Sequence, residues 1–284
     1  MSVTLSLPGN LAPDTVLLVR PVYLAGRGDT AAIYDALSER GWGNAATNSG
    51  LMFTSPHQNA QVAYLPASPN GGWKVTEYRE PLGMPVWSAS FSETTPAEIT
   101  SAFTTALAHS LPSRHRDFLS GGPHYRPPSS PAGLLADRGW ETDDTAQYLY
   151  QRSPDGHSSF ALRKNHLDEY AELEGAAPAL WTMHGGFDQV NGEHWQADFT
   201  SATPLYLVRE AVLALTSTEP VQRPLCEVPE RNLPYVTARS ADEARDPRRS
   251  AALARTPNTP PSRPSTPAGS SPANASLSAP SRRR

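Results

Sequence analysis

The tract Trp87-Ser-Ala-Ser-Phe91, followed after three residues by Thr95-Pro96, recurs 108 residues later as Trp195-Gln-Ala-Asp-Phe199 followed by Thr203-Pro204. Each copy carries a further tryptophan 14 residues upstream, Trp73 or Trp181. Earlier landmarks, Leu37, Arg40-Gly41-Trp42 and Ser55-Pro56, recur 98 residues on as Leu135, Arg138-Gly139-Trp140 and Ser153-Pro154. All six tryptophans are therefore paired, and the chain is a duplication. The ten-residue change of offset places an insertion in the second copy, between Leu162 and Trp181.

Two modules, residues 15–111 and 130–218, joined by a linker at 112–129 and followed by a tail at 219–284, suit a chain of 284 residues. A mean hydropathy of -0.47 belongs mostly to that tail, whose Pro, Ser, Ala, Thr and Arg offer little to bury, so the tail reads as disordered. Charge divides the same way. Residues 1–238 carry 15 Arg and Lys against 25 Asp and Glu, whereas residues 239–284 carry nine Arg against three acids. An acidic body repels phosphate and a basic tail attracts it. Only Lys74 and Lys164 are lysine. A single cysteine, Cys226, excludes an internal disulfide and fits a reduced, cytoplasmic setting. Met1 to Pro8 lacks the charge and apolar core of a secretory leader, and no run of 18 apolar residues predicts a membrane span.

Val16 to Val22, closed by Pro21, reads as an opening strand. The glycines of Tyr23-Leu-Ala-Gly-Arg-Gly-Asp29 make a turn, Asp29 caps a helix with Ala32, Ile33, Ala36 and Leu37 on one face, and Gly41 ends it. From Trp42 the period becomes two, at Leu51 and Phe53, Val62 and Tyr64, Trp73 and Val75, then Trp87, Ala89 and Phe91. Ser88 and Ser90, like Gln196 and Asp198, point away from the core toward water. Thr95-Pro-Ala-Glu98 predicts a capping box for a helix whose stripe is Ile99, Ala102, Phe103, Ala106 and Leu107. Copy two repeats the plan with Ser130-Pro131 opening its first helix, no counterpart to the opening strand, and Tyr206 in place of the capping glutamate. The expected fold is α+β: two tandem modules, each an antiparallel sheet of about four strands with two helices on one face, and a disordered tail.

The order Pro21-Val-Tyr-Leu-Ala-Gly-Arg-Gly-Asp29, Gly41-Trp42, Ser55-Pro56, Trp87-x-Ala-x-Phe91, Thr95-Pro96, in tandem, resembles the actinobacterial domain of unknown function 317 over residues 16–218. The resemblance implies a small cytoplasmic module, often in two copies, with no agreed activity and no catalytic residues to carry over. Copy two lacks the Tyr-Leu-Ala-Gly lead.

Nothing in the sequence marks a catalytic, cofactor or metal site. The landmarks Trp42, Trp73, Trp87, Phe91, Trp140, Trp181, Trp195 and Phe199 read as core in preference to a base-stacking platform. His109, His115, His124, His157, His166, His184 and His194 form no helical ligand pair and read as surface histidines. Asp168, Glu169, Glu172 and Glu174 of the insertion lack calcium-loop spacing and read as a solvated helical face. Ser55 and Ser153 begin turns and sit in no nucleophile elbow; Cys226 lies outside the modules as an unreactive thiol; Gly26-x-Gly28 lacks the third glycine of a dinucleotide loop. Arg248, Arg249, Arg282, Arg283 and Arg284 of the tail are the candidate phosphate contacts, or simply a solubilising extension. The function expected is a non-enzymatic protein-binding or adaptor protein, with a nucleic-acid-associated protein as the alternative.

Overall fold

The computed structural model describes residues 11–67, 71–81, 83–116, 130–164, 167–186 and 194–241. The first repeat supplies strands β2 (Gly43–Thr47), β3 (Gly50–Thr54), β4 (Ala60–Tyr64), β5 (Gly72–Tyr78) and β6 (Pro85–Ser92). The second supplies β7 (Glu141–Asp144), β8 (Tyr148–Arg152), β9 (Ser158–Arg163), β10 (Trp181–Gly186) and β11 (His194–Phe199). The repeats do not make two sheets of about four strands, as expected. They share one antiparallel sheet of ten, in the order β2-β3-β4-β5-β6-β11-β10-β9-β8-β7, within one compact unit.

The fusion follows from the repeated motif itself. Trp87-x-Ala-x-Phe91 and its copy each turn apolar side chains to one face, and a strand so patterned is a liability at a free edge. Here the two strands pair with each other: Ala197 opposite Phe91, Asp198 opposite Ser90, Phe199 opposite Ala89. Because Ser90 and Asp198 are equivalent in the two copies, this register places the pseudo-twofold axis between them. Side chains lengthen the short seam symmetrically. The Ser88 N–H donates to Thr200 Oγ1 and the Gln196 N–H to Ser92 Oγ, each at 3.0 Å. Thr95 and Thr203, expected to cap helices, hydrogen-bond instead across the seam to the carbonyls of Gln196 and Ser88. The outermost strands, β2 and β7, escaped the periodicity reading because they have no apolar alternation; every residue in both is exposed, as suits an edge.

Helices α1 (Ala31–Glu39), α2 (Ala97–Ser110), α3 (Pro131–Asp137) and α5 (Leu205–Leu215) cover the apolar face, while α4 (Glu169–Glu174), from the insertion, lies on the other. Phe91, Phe103 and Phe199 meet over the axis with centroids 5.4–5.6 Å apart. All six tryptophans are buried, as expected of core residues. The Arg-Gly-Trp landmark is one device. Gly41 and Gly139 take φ of +73° and +79°, closing α1 and α3, the tryptophan enters the core, and the arginine reaches the end of the following long helix. Arg138 donates to the Thr216 carbonyl at 2.8 Å, and Arg40 meets the His109 ring.

The boundary placed at residue 218 has to move, because residues 219–241 belong to the fold. Strands β12 (Val221–Pro224) and β13 (Thr237–Ser240) flank β1 (Val16–Arg20) in a second, three-stranded antiparallel sheet. Buried Arg223 grips Glu98 through two hydrogen bonds of 2.9 and 2.5 Å, so Glu98 serves this ion pair and no capping box. Gly28, at φ +72°, leaves room for that guanidinium, which a Cβ there would meet at 2.2 Å. The Tyr23 lead docks on the second copy: its hydroxyl donates to Asp155, and its carbonyl accepts the Trp195 indole. One lead therefore serves across the two repeats, which explains why copy two has none of its own. Residues 117–129 of the expected linker at 112–129 and the chain beyond 241 lie outside the described residues.

Candidate functional site

The sheet face away from the four covering helices is built from the residues that alternate with the core. Register gives a central row across four strands, Lys74, Ser90, Asp198, Thr182, and beside it a row of Ser92, Gln196, His184 and Ser159. Over the second copy this face is only partly open to water, contrary to the expectation for Gln196 and Asp198. Helix α4 and the chain from Gly175 to Leu180 overhang it, forming a half-open cavity of about 410 Å³. Its floor includes Ser88, Ser90, Thr182, His184, Gln196 and Asp198, and Tyr148 and Tyr150 stand on one side, ring centroids 5.2 Å apart.

The roof is fastened by residues read from the sequence as solvated. Glu172 is buried, accepts from Arg163 at 2.5 Å and takes the Ser201 N–H at 2.6 Å. Arg163 also donates to the Pro178 carbonyl at 2.9 Å. Asp168 caps α4 through the Ala171 N–H, leaving Glu169 and Glu174 exposed. The acidic insertion is thus a lid anchored by one buried ion pair. Its carboxylates form no cation loop, and among the described residues no group of three or more His, Cys, Asp or Glu is placed to hold a metal.

Inside, Asp198 accepts both bonds of the Gln196 amide, at 2.9 and 2.7 Å. Burial pushes its carboxyl above the ordinary 3.8, against the lowering effect of Gln196, Thr182 and His184. Burial pushes His184 the other way, below 6.5, against the pull of Asp198, and its buried Nδ1 has no hydrogen-bond partner among the described residues. The cavity is lined by a carboxyl, an imidazole held toward its neutral form, hydroxyls and an ion pair that neutralises itself. Only the alternation of β11 pointed to Asp198 and Gln196. His184 carried no signal, because nothing local says that an insertion 12 residues upstream roofs its face.

A second polar cluster lies on the helix side. His115, at φ +63° just beyond α2, contacts both Glu77 oxygens at 3.0 Å through Nε2 and the Tyr206 hydroxyl at 2.7 Å through Nδ1. Glu77 also accepts the Trp87 indole N–H at 2.7 Å, and Tyr206 meets Ser110. Tyr206, which stands where a capping glutamate was expected, thus ties α5 to the end of α2. Its hydroxyl and Ser110 are buried, so the arrangement joins the repeats without offering a nucleophile to solvent.

The other sequence candidates separate cleanly. Ser55 and Ser153 each accept turn N–H groups opening a hairpin, from Ala60 and Ser158 respectively. Cys226 does not lie outside the fold: it sits in the 3-10 turn after β12, its thiol exposed. The buried tryptophans present no stacking surface. Arg248, Arg249, Arg282, Arg283 and Arg284, with His124 and His166, lie outside the described residues. No helix among the described residues is long and apolar enough to cross a membrane.

No curated protein and no solved structure matches the chain. Residues 54–113 and 152–221 each match a family model, and each span runs from a Ser-Pro hairpin to the end of the long helix α2 or α5 or just beyond it. That unit of three main-sheet strands and a helix, one on each side of the axis, is what matches the model of SPDY: Domain of unknown function (DUF317), in two regions consistent with two tandem copies.

Proposed function

We propose that this chain is a non-enzymatic binding protein that engages a protein partner through the polar face of the fused sheet, with the roofed cavity of the second repeat as the point of recognition. The observation that carries this reading is the asymmetry at the axis. Equivalent positions hold Ser90 and Asp198, Ser88 and Gln196, Lys74 and Thr182, and Thr76 and His184. The duplication therefore preserved the core and diversified one face, as a scaffold does when its surface and not its chemistry differs between copies. A concave site with a few convergent polar groups and perturbed titrating residues is where recognition is expected.

A photo-cross-linking amino acid at Lys74 or at Tyr150, both exposed on the polar face, tests the reading, with Asp35 on α1 as the helix-side control. The expected result, in cells of the source organism, is a discrete adduct from positions 74 and 150 and none from 35. Equal adducts from all three, or none from the polar face, contradict it.

A further inference from the structure

The cavity's chemistry selects its occupant. Of the ionised groups around it, Arg163 is committed to Glu172, and the two neutralise each other. Among the described residues, Asp198 has neutral hydrogen-bond donors, the amide of Gln196 and the hydroxyl of Thr182. Lys74 is exposed and one strand beyond Ser90, about 10 Å from the Asp198 position at the ordinary strand spacing, and does not line the cavity. A carboxylate removed from water without a countercharge is costly, and a cation arriving beside it recovers that cost.

The remaining walls fit the same guest. Ser88 and Ser90 present hydroxyl oxygens that accept from N–H groups, and Tyr148 and Tyr150 offer aromatic faces to a positive charge. His184 lines the cavity with its ring held toward the neutral form, where an imidazolium would repel a cation. An anion would meet Asp198 unscreened, and a purely apolar group would strand these polar atoms.

Resting on the binding reading above, we infer that the cavity receives an organic cation, the ammonium of a lysine or the guanidinium of an arginine side chain of the partner, seated on Asp198 beneath α4. The volume of about 410 Å³ accommodates either side chain. Asp198 is the anchoring charge, and Gln196 and Thr182 position its oxygens.

The test is titration of the purified full-length protein with Nα-acetyl-lysine methylamide and Nα-acetyl-arginine methylamide, and with the norleucine analogue as the uncharged control. Binding is read by calorimetry and by the His184 ring resonances. The expected result is saturable binding of at least one cation that shifts His184, with none for norleucine. Asp198→Asn, shown folded by circular dichroism, weakens binding by at least about tenfold. Ala161→Phe, which fills the cavity and leaves the carboxylate in place, does the same. Absence of cation binding to the wild type, norleucine binding as well as lysine, or unchanged affinity in Asp198→Asn overturns the inference. Loss of cation binding with cross-linking from positions 74 and 150 intact would sink this inference alone. Cation binding without any adduct would sink the partner reading alone.

Discussion

Asp198 accepts its hydrogen bonds from side chains of its own sheet face, Gln196 and Thr182, and its carboxyl is penalised by burial. Burial raises its folded pKa above the 3.8 of an exposed carboxyl, so the wild type loses stability as pH rises through that interval and stays penalised above it. Asp198→Asn removes the penalty. Its expected stability at neutral pH, by urea unfolding, equals or exceeds the wild type by up to about 1 kcal/mol, and the Asp198 contribution to the slope in the acid interval is lost. A clear loss would mean that the carboxylate is structural. His184 behaves oppositely: its folded pKa lies below 6.5, so stability falls as pH drops below that value, and His184→Gln lacks this slope. Gly185 shows how far the copies have parted. Its equivalent is Glu77, which accepts the Trp87 indole, whereas at Gly185 a Cβ would lie 2.6 Å from the Trp195 ring. Gly185→Ala is expected to cost about 1–3 kcal/mol, because an indole packed on all sides has nowhere to move. A neutral result in thermal unfolding would show that the ring shifts freely.

Among the elements, α4 is the one whose role the sequence disguised. Four acids within seven residues read as a solvated face, yet Glu172 is buried against Arg163, a partner nine positions away on β9. Glu172→Gln leaves that guanidinium without its countercharge, and the expected loss is about 3 kcal/mol in urea unfolding. The same variant should speed amide exchange from Gly175 to Leu180 if the pair fastens the lid. Unchanged exchange there would mean that the roof is held by other contacts. What could be read from sequence was whatever repeats locally: four of the five main-sheet strands in each copy, the helix-ending glycines, and the tryptophans as core. Strands β2 and β7 were hidden because an edge strand needs no apolar alternation. The capping box at Thr95–Glu98 and the cap at Thr203 were misread because Thr95, Glu98 and Thr203 have partners across the seam or in β12, more than 100 residues away. Local chemistry fixes an element; it does not say which distant group competes for its side chains.

For the whole molecule, the duplication was plain from the paired tryptophans, but its consequence was not. The repeat that looks like two domains is one sheet, because the strand bearing the strongest motif in each copy has no other partner for its second edge. The cavity follows from this fusion combined with a single insertion. The axis brings Ser90 beside Asp198, the ten-residue gain roofs only one side, and a symmetric platform becomes an asymmetric site. The chain from 219 to 241 closes the other end of the structure on β1 and holds Glu98 through Arg223.

The most direct test of the fused sheet is differential scanning calorimetry of the full-length protein. One sheet sharing one aromatic cluster across its axis should unfold as a unit, in a single transition whose calorimetric and van't Hoff enthalpies agree. Two resolved transitions, each carrying about half the enthalpy, would mean that the repeats are independent domains and would contradict it.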